Sequence, residues 1–356
     1  MEWDWRVKAY QVTKFSAPIE TREIAMPEPT GTEVLIKVSK AGVCHSDLHI
    51  HDGYYSLGGD SRLELGDRGV TLPRTLGHEL YGEVVSGGPD AGDLPIGAGR
   101  LVHPWIGCGE CPVCLAGDEN VCGAPRSLGV FADGAYADYC LIPDTKYLVD
   151  IGDLDPVVAT PYSCSGVTVY SALSKALPVS KGEWLVIMGA GGLGLNAVAI
   201  AKARGVENVL SVDIDDTKLA AATDIGATAV LNSGQPDALA QLQAMTQGGP
   251  RAVVDTVGAE ATAMLGIGAL QKGGRYVIVG LFGGGVTIAL PTIPLRAISI
   301  LGSYTGNLEE LKALIELAKS GKVKPLPVST RPMAEVVDIL DELRKGKIVG
   351  RVVMTN

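Results

Sequence analysis

Glu183-Trp-Leu-Val-Ile-Met188 runs without a break into Gly189-Ala-Gly191-Gly192-Leu193-Gly194. The apolar run reads as a buried strand and the glycines as a tight turn. Residues 196–204 then read as an Ala-rich helix that Gly205 stops. Asn208-Val-Leu-Ser-Val212 is a second strand and closes on Asp213, nineteen positions after Gly194. Further β-rich runs follow at 228–231, 252–255, 275–279 and 298–301, separated by helical stretches such as 237–246 and 260–270. Strand and helix in alternation predict an α/β fold with a doubly wound parallel sheet.

A G-x-G-x-x-G run alone is weak evidence. Here it follows a strand, opens a helix and is trailed by an acid at the right distance, the context of a dinucleotide-binding turn. Gly189, Gly191, Gly192, Leu193 and Gly194 would let a pyrophosphate approach the helix N-terminus, where unpaired amides and the helix dipole favour negative charge. Asp213 would accept from the adenosine ribose hydroxyls. A carboxylate there repels a 2′-phosphate, and Ile214, Asp215 and Asp216 bring no Arg, so NAD is expected over NADP. The alternative is a glycine-rich turn with no ligand.

Towards the N-terminus the pattern changes. Short strands at 34–38, 81–85, 100–102 and 136–142, with Pro and Gly between them, predict an all-β, loop-rich domain. Residues 52–74 read as a surface loop and a wall of the active site. Cys44-His45-Ser46-Asp47-Leu48-His49 holds a thiol, a hydroxyl and two imidazoles. Alone it reads as readily as a loop thiol beside two solvated histidines; Gly77-His78-Glu79 and Cys164 add the distant ligands that a catalytic zinc needs, and two thiolates with one imidazole would leave its fourth position open for substrate. Ser46 and His49 could begin to move a proton away from that metal. Asp47 would hold His78 or simply cap a turn.

Cys108-Gly-Glu-Cys111-Pro-Val-Cys114 and then Cys122 can close around one tetrahedral ion with no room for substrate, and are read as structural zinc. The rivals are an iron–sulfur cluster and unligated thiols, although no Pro directly follows Cys122. Cys140 lies in an alternating strand and reads as a small buried residue. Beyond residue 301, Asn307 caps an amphipathic helix over 308–320, a second helix covers 333–344, and a closing strand spans 348–354. Both helices are expected to pack onto the β-rich domain or the crevice.

At 356 residues, 46% hydrophobic and 20% charged, the chain is long enough for about two cored domains and too apolar to be disordered. A net charge of −10 and the absence of a basic block argue against nucleic acid. Residues 1–6 lack the pattern of a signal peptide, and the most apolar segment, 184–201, is broken by four glycines and does not suit a membrane span. The seven cysteines are therefore expected in a reducing cytoplasm, where clustered thiols bind metal.

Together, Gly42-Val-Cys44-His-Ser46-Asp, Gly77-His78-Glu79, the four-cysteine lobe, Cys164 with Gly166-Val-Thr168-Val-Tyr170, and the glycine turn resemble the zinc-dependent medium-chain alcohol dehydrogenases over essentially the whole chain. The resemblance implies a GroES-like catalytic domain from residues 1–165 and 301–356, a structural-zinc lobe at about 103–125, and a Rossmann domain at 166–300. It implies NAD, two zinc ions and reversible hydride transfer between an alcohol and its aldehyde or ketone. It assigns Cys44, His78 and Cys164 to the catalytic zinc, Glu79 to a carboxylate that can transiently join it, and Ser46 and His49 to the proton relay. His45, Thr168, Lys218, Val257, Val279 and Arg351 match cofactor-contacting positions, with simple solvation the alternative for Lys218 and Arg351. Tyr54 and Trp105 are candidate pocket walls, whereas His51 and His103 read as structural. A polyol or sugar dehydrogenase is the runner-up, and a non-enzymatic zinc-stabilised protein the remote alternative. The family also implies a homo-oligomer, a tetramer before a dimer.

Overall fold

In the computed structural model, which describes residues 6–356, six parallel strands follow from the alternation read above. Their order is Ala229–Asn232, Asn208–Asp213, Trp184–Met188, Ala252–Asp255, Arg275–Ile278 and Ser299–Gly302. Helices cover both faces, so Leu185, Val186, Ile187 and Met188 are fully buried, as a central parallel strand requires. Chain order reverses beside Trp184–Met188, and a crevice opens there at the carboxyl ends of the strands. The segment Trp184 to Ala201 is thus a strand and a helix. Among the described residues no helix is long and apolar enough to cross a membrane.

The other sheet is mainly antiparallel and uses both ends of the chain. Val34–Gly42 pairs with Glu79–Gly87 on one side and with the closing strand Arg351–Thr355 on the other. Gly42 faces both Glu79 and Val353 in this register, so Cys44, His78 and Arg351 arrive at one edge of the sheet. A Cβ on Gly42 would lie 1.9 Å from Glu79 Oε2, which makes glycine obligatory for this approach. Cys140 is buried in Tyr139–Ile142, as expected.

Two expectations need correction. Residues 52–74 are not an irregular loop: Tyr54–Gly58 and Ser61–Glu64 form an antiparallel hairpin whose Gly58 packs on the backbone of Gly284. Tyr54 and Tyr55 are strand-forming aromatics, and Gly59, at φ 55°, supplies the left-handed residue of the short turn between the two strands. Of the two C-terminal helices, one docks on the β-rich domain as expected and the other does not. Val336–Arg344 buries Val336, Ile339 and Leu340 in the β-rich core. Leu308–Lys319 instead puts Leu311, Leu314 and Ile315 into the core shared by the helices Ser165–Ala176 and Gly192–Ala203, with Leu314 against Gly166. Residues 1–5, part of the stretch read for a targeting signal, lie outside the described residues.

Candidate active site and metal centres

Cys44 stands at the N-cap of the helix His45–Asp52, where its backbone N–H donates to Asp47 Oδ2 at 2.9 Å. The same carboxylate oxygen accepts from Tyr136 O–H at 2.8 Å, and Asp47 Oδ1 lies 3.3 Å from His78 Nδ1. Asp47 therefore caps the turn and orients His78, serving both of the roles weighed for it. Neither ring nitrogen of buried His78 has a hydrogen-bond partner among the described residues, and the approach of Nδ1 to the Asp47 carboxylate leaves Nε2 as the nitrogen for a metal.

The donor atoms of Cys44, His78 and Cys164 all lie within 4.8 Å of one another, with Sγ–Sγ at 3.8 Å between the two cysteines. Two sulfurs each about 2.3 Å from a tetrahedral zinc would be about 3.8 Å apart, so the donor set fits the ion. The Cys44 thiol is held well below its usual pKa by its hydrogen bond with Cys164 and by His78 and Arg351, which outweigh burial. Behind the thiolates, Glu79 forms a buried ion pair with Arg351 through Oε1, and its Oε2 has no partner among the described residues. Burial alone would lower the Arg351 pKa, but Glu79 and Cys44 raise it, so this cation stays charged.

The four-cysteine lobe meets the same test. Sγ–Sγ distances are 3.8 Å for Cys108–Cys114, 3.5 Å for Cys111–Cys114 and 3.8 Å for Cys111–Cys122. That spacing leaves room for one central atom and not for a multi-iron core. Backbone amides of Cys111, Cys108 and Ala124 donate to the sulfurs of Cys108, Cys122 and Cys122. Amides of Glu110 and Cys111 pull the Cys108 pKa down to about 6, favouring the thiolate that a metal needs.

One cleft joins the metal-ligand cluster to the wound sheet. Gly189, Gly191, Gly192, Leu193 and Gly194 line its floor. A Cβ on Gly194 would lie 1.8 Å from Gly189 O, so the turn closes only around glycine. Asp213 and Lys218 line the cleft, and Asp213 Oδ2 accepts from Ala190 N–H at 2.7 Å. Thr168, Val257 and Val279 also face it, and Arg351 packs beside Gly192; Arg351 is 7% exposed, which excludes simple solvation.

At the metal end, Cys44, His45, Ser46, His49, Trp105 and Cys164 line the wall. Ser46 Oγ is 3.8 Å from Cys44 Sγ. The His49 ring lies 5.7 Å from that of His45 and 4.9 Å from that of Tyr55, and burial lowers the pKa of both histidines. Tyr54 is not on the cleft; its neighbour Tyr55 is, because successive side chains of the hairpin strand point to opposite faces. Tyr54 instead carries the Arg62 guanidinium over its ring. His51 is bound to Asp52 and to Ala17 O, away from the cleft.

Ser303, Tyr304 and Thr305 line the cleft without having been singled out in the sequence. They follow the sixth strand of the wound sheet, and counting strands to the crevice would have found them.

Residues 30–153 match the family described as alcohol dehydrogenase GroES-like domain, and 192–320 that of zinc-binding dehydrogenase. An NAD-dependent alcohol dehydrogenase of Sulfurisphaera tokodaii is 39% identical over 350 residues, 98% of this chain and 99% of that one. Among solved structures, the alcohol dehydrogenase of Aeropyrum pernix superimposes with a TM-score of 0.90 at 29% identity, over 98% of this chain and 100% of the other. The D-arabinose dehydrogenase of Sulfolobus solfataricus gives 0.84 at 28% identity, covering 99% and 100%.

Proposed function

The chain belongs to the zinc-type medium-chain alcohol dehydrogenases, and from that premise we infer that it transfers hydride reversibly between an alcohol and NAD, yielding an aldehyde or ketone. The convergence of Cys44, His78 and Cys164 at the end of the glycine-turn cleft carries this reading. We assign one zinc to those three residues and a second to Cys108, Cys111, Cys114 and Cys122. When bound, the catalytic zinc supplies a Lewis acid and NAD a hydride acceptor.

The chain's own groups do the rest. Amides at the start of the helix Gly192–Ala203 receive the pyrophosphate, with His45 and Arg351 beside it, while Asp213 and Lys218 hold the ribose. Ser46 Oγ accepts the proton of the substrate hydroxyl as it gives up its own towards the His49 ring, the base of the relay, whose pKa is lowered by burial. Asp47 fixes the His78 ring through Nδ1 and leaves Nε2 for the metal.

The pocket favours apolar alcohols. Trp105 lies 5.2 Å from His78 and 6.2 Å from Tyr304, while Tyr55 lies beside His49, so aromatic faces surround the reacting end. The Trp105 N–H is spent on Ser163 O, leaving carbon towards substrate. A polyol would bury hydroxyls there without partners. The likeness to the D-arabinose dehydrogenase supports the sugar reading, but the aromatic wall favours simple alcohols. We further assign a catalytic domain at 1–165 and 301–356, a cofactor domain at 166–300, a cytoplasmic location and a homo-oligomeric state.

Metal analysis should give two zinc ions per chain. Cys44→Ala should lower kcat for NADH formation by at least about 10³-fold with an unchanged far-UV spectrum. Undiminished turnover in that variant would dismiss the metal-centred reading.

A further inference from the structure

The four-cysteine lobe is hydrogen-bonded to the far wall of the cleft. Asn120 Nδ2 donates to Tyr304 O at 2.9 Å, and Asn307 Nδ2 donates to Asp118 Oδ1 at 3.1 Å. A third tie comes from the helix Ser165–Ala176, whose Lys175 Nζ donates to Ser303 Oγ at 2.7 Å. These bonds bracket Thr305. It is a β-branched residue held at φ 45°, in the left-handed region that such side chains avoid. Thr305 is buried and lines the cleft, and its Oγ1 has no partner among the described residues. A strained backbone carrying an unpaired buried hydroxyl persists only where the surroundings impose it, and it is characteristic of ligand contacts.

The position of the loop says which part of a ligand it meets. Asp213, at the tip of the second strand, marks the adenosine end. Across the sheet from it come the first, fourth and fifth strands and then the sixth, after which Ser303, Tyr304 and Thr305 follow directly. Through Tyr304 and Trp105 the same loop reaches His78. The far half of a dinucleotide laid along the glycine turn therefore arrives at Thr305.

We propose that Asp118 and Asn120 of the four-cysteine lobe are positioning residues, which hold residues 303–305 so that the Thr305 hydroxyl meets the nicotinamide amide of the bound cofactor. The lobe then has a second task besides stabilising its own fold: it sets one wall of the cofactor site from outside the wound-sheet domain. This rests on the assignment of NAD to the cleft.

The test compares NADH with ADP-ribose, which lacks the nicotinamide, as ligands of the metal-replete enzyme, titrated by fluorescence and by calorimetry. Asn120→Ala and Thr305→Val should each raise the NADH dissociation constant about three- to tenfold, the worth of one hydrogen bond. ADP-ribose affinity and zinc content should stay at wild-type values. Thr305→Val should melt no lower than wild type, because it removes an unpaired buried hydroxyl. Thr305→Val lies outside the lobe, so it keeps the test decisive should Asn120→Ala lose metal. Unchanged NADH affinity in Thr305→Val, or an equal weakening of ADP-ribose, would overturn the proposal. A wild-type enzyme that binds neither ligand would overturn the cofactor assignment itself, and the proposal with it.

Discussion

Asp213 reaches further than the ribose assigned to it. Its Oδ2 accepts from Ala190 N–H and its Oδ1 from the amides of Ile214 and Asp215. One side chain thus tethers the glycine turn and places negative charge where a 2′-phosphate would sit. Asp213→Gly should raise the NADP-to-NAD ratio of kcat/KM by about tenfold or more while lowering the absolute value for NAD. Steady-state kinetics with both cofactors checks this, and an unaltered ratio would assign the discrimination to another group. His103 gives a residue-scale prediction of a different kind. It is fully buried, no partner for either ring nitrogen is found among the described residues, and burial lowers its pKa to about 4. The unfolded chain, with a histidine pKa near the ordinary ~6.5, binds the proton first as pH falls. Stability is therefore full above about 6.5 and is lost as pH drops towards 4, by roughly 3 kcal/mol at the limit. His103→Phe should flatten that limb in urea melts taken at pH 7 and pH 4.5. An equally steep limb in the variant would place the acid sensitivity elsewhere.

Among the elements, the four-cysteine lobe is held by its thiolates and by little apolar burial. Between Cys108 and Cys122, Val113, Leu115 and Val121 are exposed, and only Cys114 and Cys122 are buried. Cys111→Ala leaves three ligands and three thiolates without a closed shell. It should release about one zinc per chain and lower the melting temperature by about 10 °C, whereas Cys44→Ala should leave that temperature nearly unchanged. Calorimetry with metal analysis reads both; the reverse pattern would exchange the structural and catalytic assignments. Elements of this kind were legible because their signal is local. The cysteine spacings, the glycine turn and the Asn307–Glu310 capping box each lie within a few residues. What the sequence hid depends on distant partners. Choosing Tyr55 over Tyr54 needs the facing of the hairpin, and the helix Leu308–Lys319 has an apolar stripe that does not say which core receives it. The ties from Asp118 and Asn120 to the cleft loop span 189 and 184 positions, beyond any pattern in a window of sequence.

Over the whole molecule, the wound sheet ends in an open edge. Ser299–Gly302 has a partner on one side only, and nearby Leu290, Leu295 and Phe282 are 77%, 74% and 66% exposed. An unpaired edge with apolar side chains beside it offers a surface that a second copy can cover through two-fold symmetry, in line with the oligomer proposed above. Wild-type protein should therefore run in light scattering at a multiple of the chain mass, and Leu290→Glu with Leu295→Glu should shift it towards a smaller species. A monomeric wild type would refute the oligomer assigned above.

The strand Arg351–Thr355 is paired on both sides in its sheet, between Val34–Gly42 and the edge strand Val328–Pro332. During synthesis, Glu79 leaves the ribosome long before that strand does, and it waits without the cation that will neutralise it. The wound sheet, contiguous in sequence, can fold meanwhile, and the buried charge behind the metal ligands is balanced only once Arg351 has been translated. A nascent chain stalled before Arg351 should accordingly protect the glycine turn from proteolysis while leaving Cys44 open to alkylation, so that the pairing of this strand and the arming of the chemistry are a single event.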